Sequence, residues 1–155
     1  MIQETLKKLK GTYDFTITDT NGKVRDSWSV ENLVTNAGFA QLALLAGDAS
    51  ATPFTYLAVG TSTTAPAVTD TTLTAEIVDT GLARVAGTVS RVTTTVTNDT
   101  YRVTTTWTAS GSKTIEEVGV FNASSAGTML SHARTTSKAG TNGETLTGTY
   151  SMKFA

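Results

Sequence analysis

The stretch Gly11-Thr12-Tyr13-Asp14-Phe15-Thr16-Ile17-Thr18-Asp19-Thr20-Asn21-Gly22-Lys23-Val24 decides the fold class. Tyr13, Phe15 and Ile17 alternate with Asp14, Thr16 and Thr18, the two-residue period of a strand with one buried face. Asn21-Gly22 then offers two positive-φ positions for a type I′ turn, whose twist matches the strands on either side, and Val24, Trp28 and Val30 are expected to continue on one face of the return strand. An antiparallel hairpin therefore opens the folded part of the chain.

The same period recurs further on. Val92, Thr94 and Val96 are expected to share a face, Asn98-Asp99 to turn, and Tyr101, Val103, Thr105, Trp107 and Ala109 to alternate with Arg102, Thr104, Thr106 and Thr108. Ile115 to Phe121 reads as a strand, Ser124 to Gly127 as a turn, Thr128 to Thr135 as the return, and Leu146, Tyr150, Met152 and Phe154 as a last strand running to the C-terminal end. Phe54 to Val59, bounded by Pro53 and Gly60, reads as a buried strand. One helix interrupts this order. Thr35 or Asn36 caps residues 36–46, Phe39, Leu42, Ala43 and Ala46 form its apolar stripe, and Gly47 stands where a left-handed C-cap would be. The residues Thr61 to Thr72 are small and polar without period and are expected to cross the surface.

At the N-terminal end, Ile2, Leu6 and Leu9 fall at helical spacing among Lys7, Lys8 and Lys10, with Gly11 as the expected cap. So short a helix needs packing to persist, so residues 1–10 are expected to dock on their own domain, dock on a partner or fray. The expected architecture is a mainly β, antiparallel β-sandwich or jelly-roll-like domain over residues 11–155, with one short internal helix and an arm or short amphipathic helix over residues 1–10.

Composition narrows the function. The chain has 155 residues, no cysteine and a formal net charge of −1. Without thiols there are no disulfides, thiolate zinc sites, iron–sulfur clusters or cysteine nucleophiles. The near-neutral balance gives no electrostatic reason to expect nucleic acid or an anionic membrane as a partner, and no apolar run approaches the roughly 20 residues of a membrane helix. Met1 to Gly11 lacks a signal-peptide stretch, so a soluble protein made in the cytoplasm is expected. About a fifth of the residues are threonine, whose β-branched side chain suits a pleated strand and whose hydroxyl tolerates water on an outward face.

No residue set reads as an active site. His132 is the single histidine, and Ser131 beside it has no Gly-x-Ser-x-Gly context, so His132 is expected to be a surface or interface residue on a strand. Glu116 and Glu117, adjacent on a strand, point to opposite faces and do not converge as a glycosidase pair does. Asp70, Glu76 and Asp79 lack the spacing and glycine of a calcium loop, and Gly60-Thr61-Ser62-Thr63 lacks the Lys-Ser/Thr of a phosphate loop. Trp28, Trp107, Tyr101 and Tyr13 fall on the expected inward faces. Catalytic, cofactor and metal residues are therefore assigned to none.

Three stretches, taken in order, resemble small virion structural proteins of tailed bacteriophages of the tail-fibre, collar or head and tail accessory type, capsid decoration proteins included. They are Asn32-Leu33-Val34-Thr35-Asn36-Ala37-Gly38, then Tyr56-Leu57-Ala58-Val59-Gly60-Thr61 with Thr72-Leu73-Thr74-Ala75-Glu76, and Ile115-Glu116-Glu117-Val118-Gly119-Val120-Phe121-Asn122-Ala123. The resemblance spans about residues 11–155. It implies a non-enzymatic virion part without cofactor, a tail or head–tail adaptor or fibre-like protein with symmetric contacts to its own copies and other virion proteins. A capsid decoration protein on the head shell is the alternative, and a carbohydrate-binding β-sandwich module, which needs exposed aromatics, is the second. The arm and the Thr61 to Thr72 loop are the segments expected to reach a neighbour. The sequence departs from a tail-fibre pattern in stopping near residue 155 without a repetitive shaft or receptor-binding tip, so the resemblance does not extend to host-receptor recognition.

Overall fold

The computed structural model describes residues 9–155, so the helix or arm expected over residues 1–10 lies outside it except for Leu9 and Lys10. Gly11 is not a helix cap, because Lys10 already opens the first strand. That strand, β1 (Lys10–Thr18), is followed by β2 (Val24–Glu31), β3 (Leu33–Val34), helix α1 (Asn36–Gly47), β4 (Tyr56–Gly60), β5 (Val85–Ala86), β6 (Thr88–Val92), β7 (Thr100–Thr108), β8 (Lys113–Phe121), β9 (Met129–Gly140) and β10 (Thr145–Lys153). The strands form two five-stranded antiparallel sheets, ordered β2-β1-β10-β7-β6 and β3-β9-β8-β4-β5.

The sheets face one another across one core, which makes the molecule a mainly β sandwich. Tyr13, Phe15 and Ile17 from the first sheet meet Val118, Val120 and Leu130 from the second in this core. Polar atoms within and beside the core tie the molecule together. The Tyr13 hydroxyl lies 2.5 Å from Ser131 Oγ, Trp28 Nε1 donates to Thr135 Oγ1 at 2.7 Å, and Trp107 Nε1 donates to the Ala83 carbonyl at 2.8 Å. Tyr13 and Trp107 are buried as the alternation predicts, whereas Trp28 and Tyr101 are half-buried at the margin of the core. On the outer face of the first sheet, threonines pair across strands, Thr104 with Thr149 at 3.0 Å and Thr106 with Thr147 at 3.2 Å. That face satisfies its own hydroxyls, as cross-strand threonine pairs do.

Several local expectations are corrected. The first turn is not type I′: Gly22 has φ 81° but Asn21 is not in the positive-φ region, and the Asp19 carboxylate accepts the amides of Asn21 and Lys23. Asp19 thus organises a wider turn, the register slips between Ile17 and Thr18, and Val24 emerges exposed instead of joining Trp28 and Val30. In the second hairpin β6 ends at Val92. Asp99 accepts the amides of Thr94, Thr95 and Val96, and this local capture replaces the ladder that would have extended the strand through Val96. The last strand ends at Lys153, which leaves Phe154 exposed.

Helix α1 has the expected cap, with Thr35 Oγ1 accepting from the Gly38 amide at 2.9 Å and donating to the Met129 carbonyl at 2.6 Å. Of its expected stripe only Leu42 packs on the core, while Phe39, Ala43 and Ala46 are exposed. Gly38 is the helix residue that is buried, because its missing side chain lets the helix rest on the backbone of Leu130. Leu42 and Leu45 are half-buried against the core while Phe39 and Leu44 are exposed. Gly47 is the last helical residue and not a left-handed cap, and the extended Asp48 closes the helix with its amide on the Leu44 carbonyl.

Candidate functional site

Strand β8 is bulged between Ile115 and Glu117, and beyond the bulge it is buried on both faces. Glu116 points out and accepts from the Ser137 hydroxyl at 2.6 Å, while Glu117 lies on the face away from the inter-sheet core and is fully buried beneath the connection between β4 and β5. His132, opposite Gly119 on β9, is also fully buried. The expectation of a surface or interface histidine is therefore corrected. Both ring nitrogens are taken: Nδ1 lies 2.7 Å from Asp70 and Nε2 lies 2.9 Å from Glu117. Glu117 also accepts the amides of Thr74 at 3.1 Å and Ala75 at 2.7 Å.

The cluster is thus an anchor for the long connection between β4 and β5. Gly60 belongs to it, since a side chain there would run into the Glu117 carboxylate and the Ala75 carbonyl. A second anchor lies further along, where Arg84 pairs with Glu76 at 2.6 Å, sits 3.5 Å above the Phe121 ring and donates to the carbonyls of Ala123 and Ala126. The three acidic residues weighed against a calcium loop are drawn apart. Asp70 goes to His132, Glu76 to Arg84 and Asp79 to Lys113, and among the described residues no group of three acidic or histidine side chains is placed to hold a metal. Ser131 points away from His132 to Tyr13, so the neighbouring pair forms no nucleophile and base.

Burial alone would lower the His132 pKa, but hydrogen bonds and charge from Glu117 and Asp70 outweigh it and hold the imidazole above its ordinary 6.5. Burial would raise both carboxyls, yet His132 and the backbone amides hold Glu117 below 4.5 and Asp70 below 3.8. The signs fix a window. A raised histidine pKa stabilises fully below 6.5 and the gain is lost as pH climbs through the raised value. The depressed carboxyls stabilise fully above their ordinary values and lose that gain as pH falls through the lowered ones. Unfolding free energy measured in urea is expected to fall as pH rises above 6.5 and through the raised value, with the slope flattened in His132→Gln. An unchanged slope in that variant would contradict the pairing.

The other feature of note is an apolar groove of about 400 Å³ between α1 and the inner face of the first sheet, where the short β5 leaves β6 uncovered. Leu42, Leu45, Phe54, Val89, Tyr101 and Phe154 line it. Tyr101 donates its hydroxyl to the Phe54 carbonyl, and the Phe154 amide donates to the Asp99 carbonyl at 3.0 Å, which fixes the C-terminal end at the rim. The sequence signalled this groove only through Val89, an apolar residue outside the expected alternation.

The three motifs converge in space. Gly60 pairs with Glu117 in the ladder, Glu117 holds Thr74 and Ala75, Gly119 lies against Leu73 and Met129, and Thr35 and Gly38 hold α1 to β9. The family model for podophage GP4 fiber I protein gp80 matches residues 32–151. No curated protein and no solved structure matches the chain. The match takes in all three motifs and both sides of the buried anchor, and by it the chain belongs to the podophage GP4 fiber I protein gp80 family, structural components of the tailed-phage virion.

Proposed function

We propose that the protein is a tail or head–tail adaptor or fibre-like part of the virion that makes symmetric contacts with its own copies and with neighbouring virion proteins, and that it catalyses no reaction. The observation that carries this reading beyond the family is the use of its reactive side chains. His132, Glu117, Asp70, Glu76 and Arg84 bind one another and the backbone of one long connection, so their chemistry is spent on holding shape. The shared core supports treating residues 11–155 as one domain. A glycan-binding role is less well supported, because Trp107 is buried and Trp28 is stacked on Phe15 with its nitrogen bound to Thr135.

Quantitative mass spectrometry of purified particles tests the reading. The protein is expected in proportion to the tail proteins. Proportion to the major shell protein would move it to the decoration class, and absence from particles would defeat the structural role.

A further inference from the structure

We infer that the charge on His132 is the catch that holds the loop of residues 62–72 against the start of α1, and that the loop is let go when the imidazole becomes neutral. The loop stands between two fixed points. Thr61 donates its amide to the Ala75 carbonyl at 2.9 Å, and Thr74 donates its amide to Glu117 at 3.1 Å. Between them, among the described residues, two hydrogen bonds tie the loop to the rest of the molecule. One joins His132 Nδ1 to Asp70 at 2.7 Å. In the other, Asn36, the first residue of α1, donates its amide to the Val68 carbonyl at 2.8 Å. Most of the loop is exposed, Val68 included, so little apolar burial holds it down.

The catch follows from counting protons. An imidazolium donates from both nitrogens and serves two carboxylates, whereas a neutral imidazole has one N–H and turns a lone pair toward the other neighbour. His132 lies between two carboxylates, so the loss of its proton breaks one contact. Glu117 is not the one released. It has no exposed surface, and the amides of Thr74 and Ala75 pin it in place. Asp70 keeps 27% of its side-chain surface open to water and is free to turn outward. The remaining proton therefore stays on Nε2, and Nδ1 faces Asp70 with a lone pair. The same Asp70 oxygen accepts the Ala67 amide at 2.7 Å, so the turn at residues 67–70 goes with it and draws Val68 away from Asn36. Glu117 and Asp70 are the charges that act on the imidazole. The other elements packed on this part of β9, β3 and α1, carry no titratable side chain, and Arg134 further along β9 is exposed. With the imidazole held above its ordinary 6.5, the loop is closed below that value and opens as pH climbs through the raised one. The virion reading does not depend on this device.

His132 is the single histidine, so its ring nitrogens are read without ambiguity by nitrogen NMR of the labelled full-length protein, titrated upward from below 6.5. Amide exchange, corrected for its intrinsic pH dependence, is followed in the same samples. The neutral ring is expected to carry its proton on Nε2. At the same midpoint the amides of Asn36 and Ala67 are expected to lose protection by about ten-fold or more, the scale of one hydrogen bond to a charged group, while Thr74 and Ala75 keep theirs. In Asp70→Asn the side-chain amide can accept from the charged ring or donate to the neutral one, so protection at Asn36 should no longer change through the titration. A neutral ring protonated on Nδ1 would overturn the inference. So would unchanged protection at Asn36 and Ala67, an equal loss at Thr74 and Ala75, or an Asp70→Asn protein that keeps the original pH response.

Discussion

Glu117→Ala is expected to lower the free energy of unfolding by about 3–5 kcal/mol, the cost of breaking a buried ion pair by removing one partner. Glu117 has no exposed surface, and its carboxylate is shared by His132 and the amides of Thr74 and Ala75. Removing it leaves a buried imidazole held only by Asp70, together with two backbone donors whose partner is gone. The damage is expected to start in the connection between β4 and β5. Amide exchange should therefore accelerate first at Thr74, Ala75 and the residues around Asp70, ahead of the paired strands of the first sheet. Urea unfolding measures the total. A loss below about 1 kcal/mol would mean that the cluster contributes no more than a surface ion pair.

Gly38→Ala and Gly47→Ala are expected to act with opposite signs although both replace a glycine in the same helix. Alanine ordinarily favours a helix interior over glycine by about 0.5–1 kcal/mol. At Gly47, the last helical residue, nothing lies within 4 Å of the added methyl group and φ is not positive, so a part of that gain should appear. At Gly38 the methyl group would fall on the carbonyl oxygen of Leu130 and within 2.8 Å of its Cα, and backbone cannot swing aside as a side chain can. Overpacking of this kind costs about 1–3 kcal/mol, which exceeds the propensity gain, so Gly38→Ala should destabilise and loosen α1 from β9. Thermal unfolding of the two variants checks the pair. Stabilisation by both would show that the helix is not seated on Leu130.

The strands were readable where one face is buried and the other wet. β1, β7 and β10 alternate as their sequences alternate, since a two-residue period leaves the chain no other way to hide Tyr13, Val103 or Tyr150. Reading failed where a side chain competes with the ladder. Asp19 and Asp99 each collect several backbone amides, and neither capture leaves a trace in hydrophobic periodicity. The helix stripe misled for a related reason, because a glycine that permits close approach carries no hydropathy signal. The anchor around His132 was the least legible element. Its partners Asp70 and Glu117 stand 62 and 15 residues away, and the bulge in β8 turns Glu117 from the core face that Ile115 shares to the opposite face, beneath the connection between β4 and β5. A glutamate at the head of the continuous apolar run Val118-Gly119-Val120-Phe121 was the one local hint that it would be buried.

The virion assignment rests on a family match that takes in the three motifs, and these motifs build that anchor and seat α1. Immunogold electron microscopy of purified particles, with antibody raised to this protein, tests the assignment most directly. Label concentrated at one end of the particle, at the tail or its junction with the head, is the predicted result. Particles without label at any position would contradict the account.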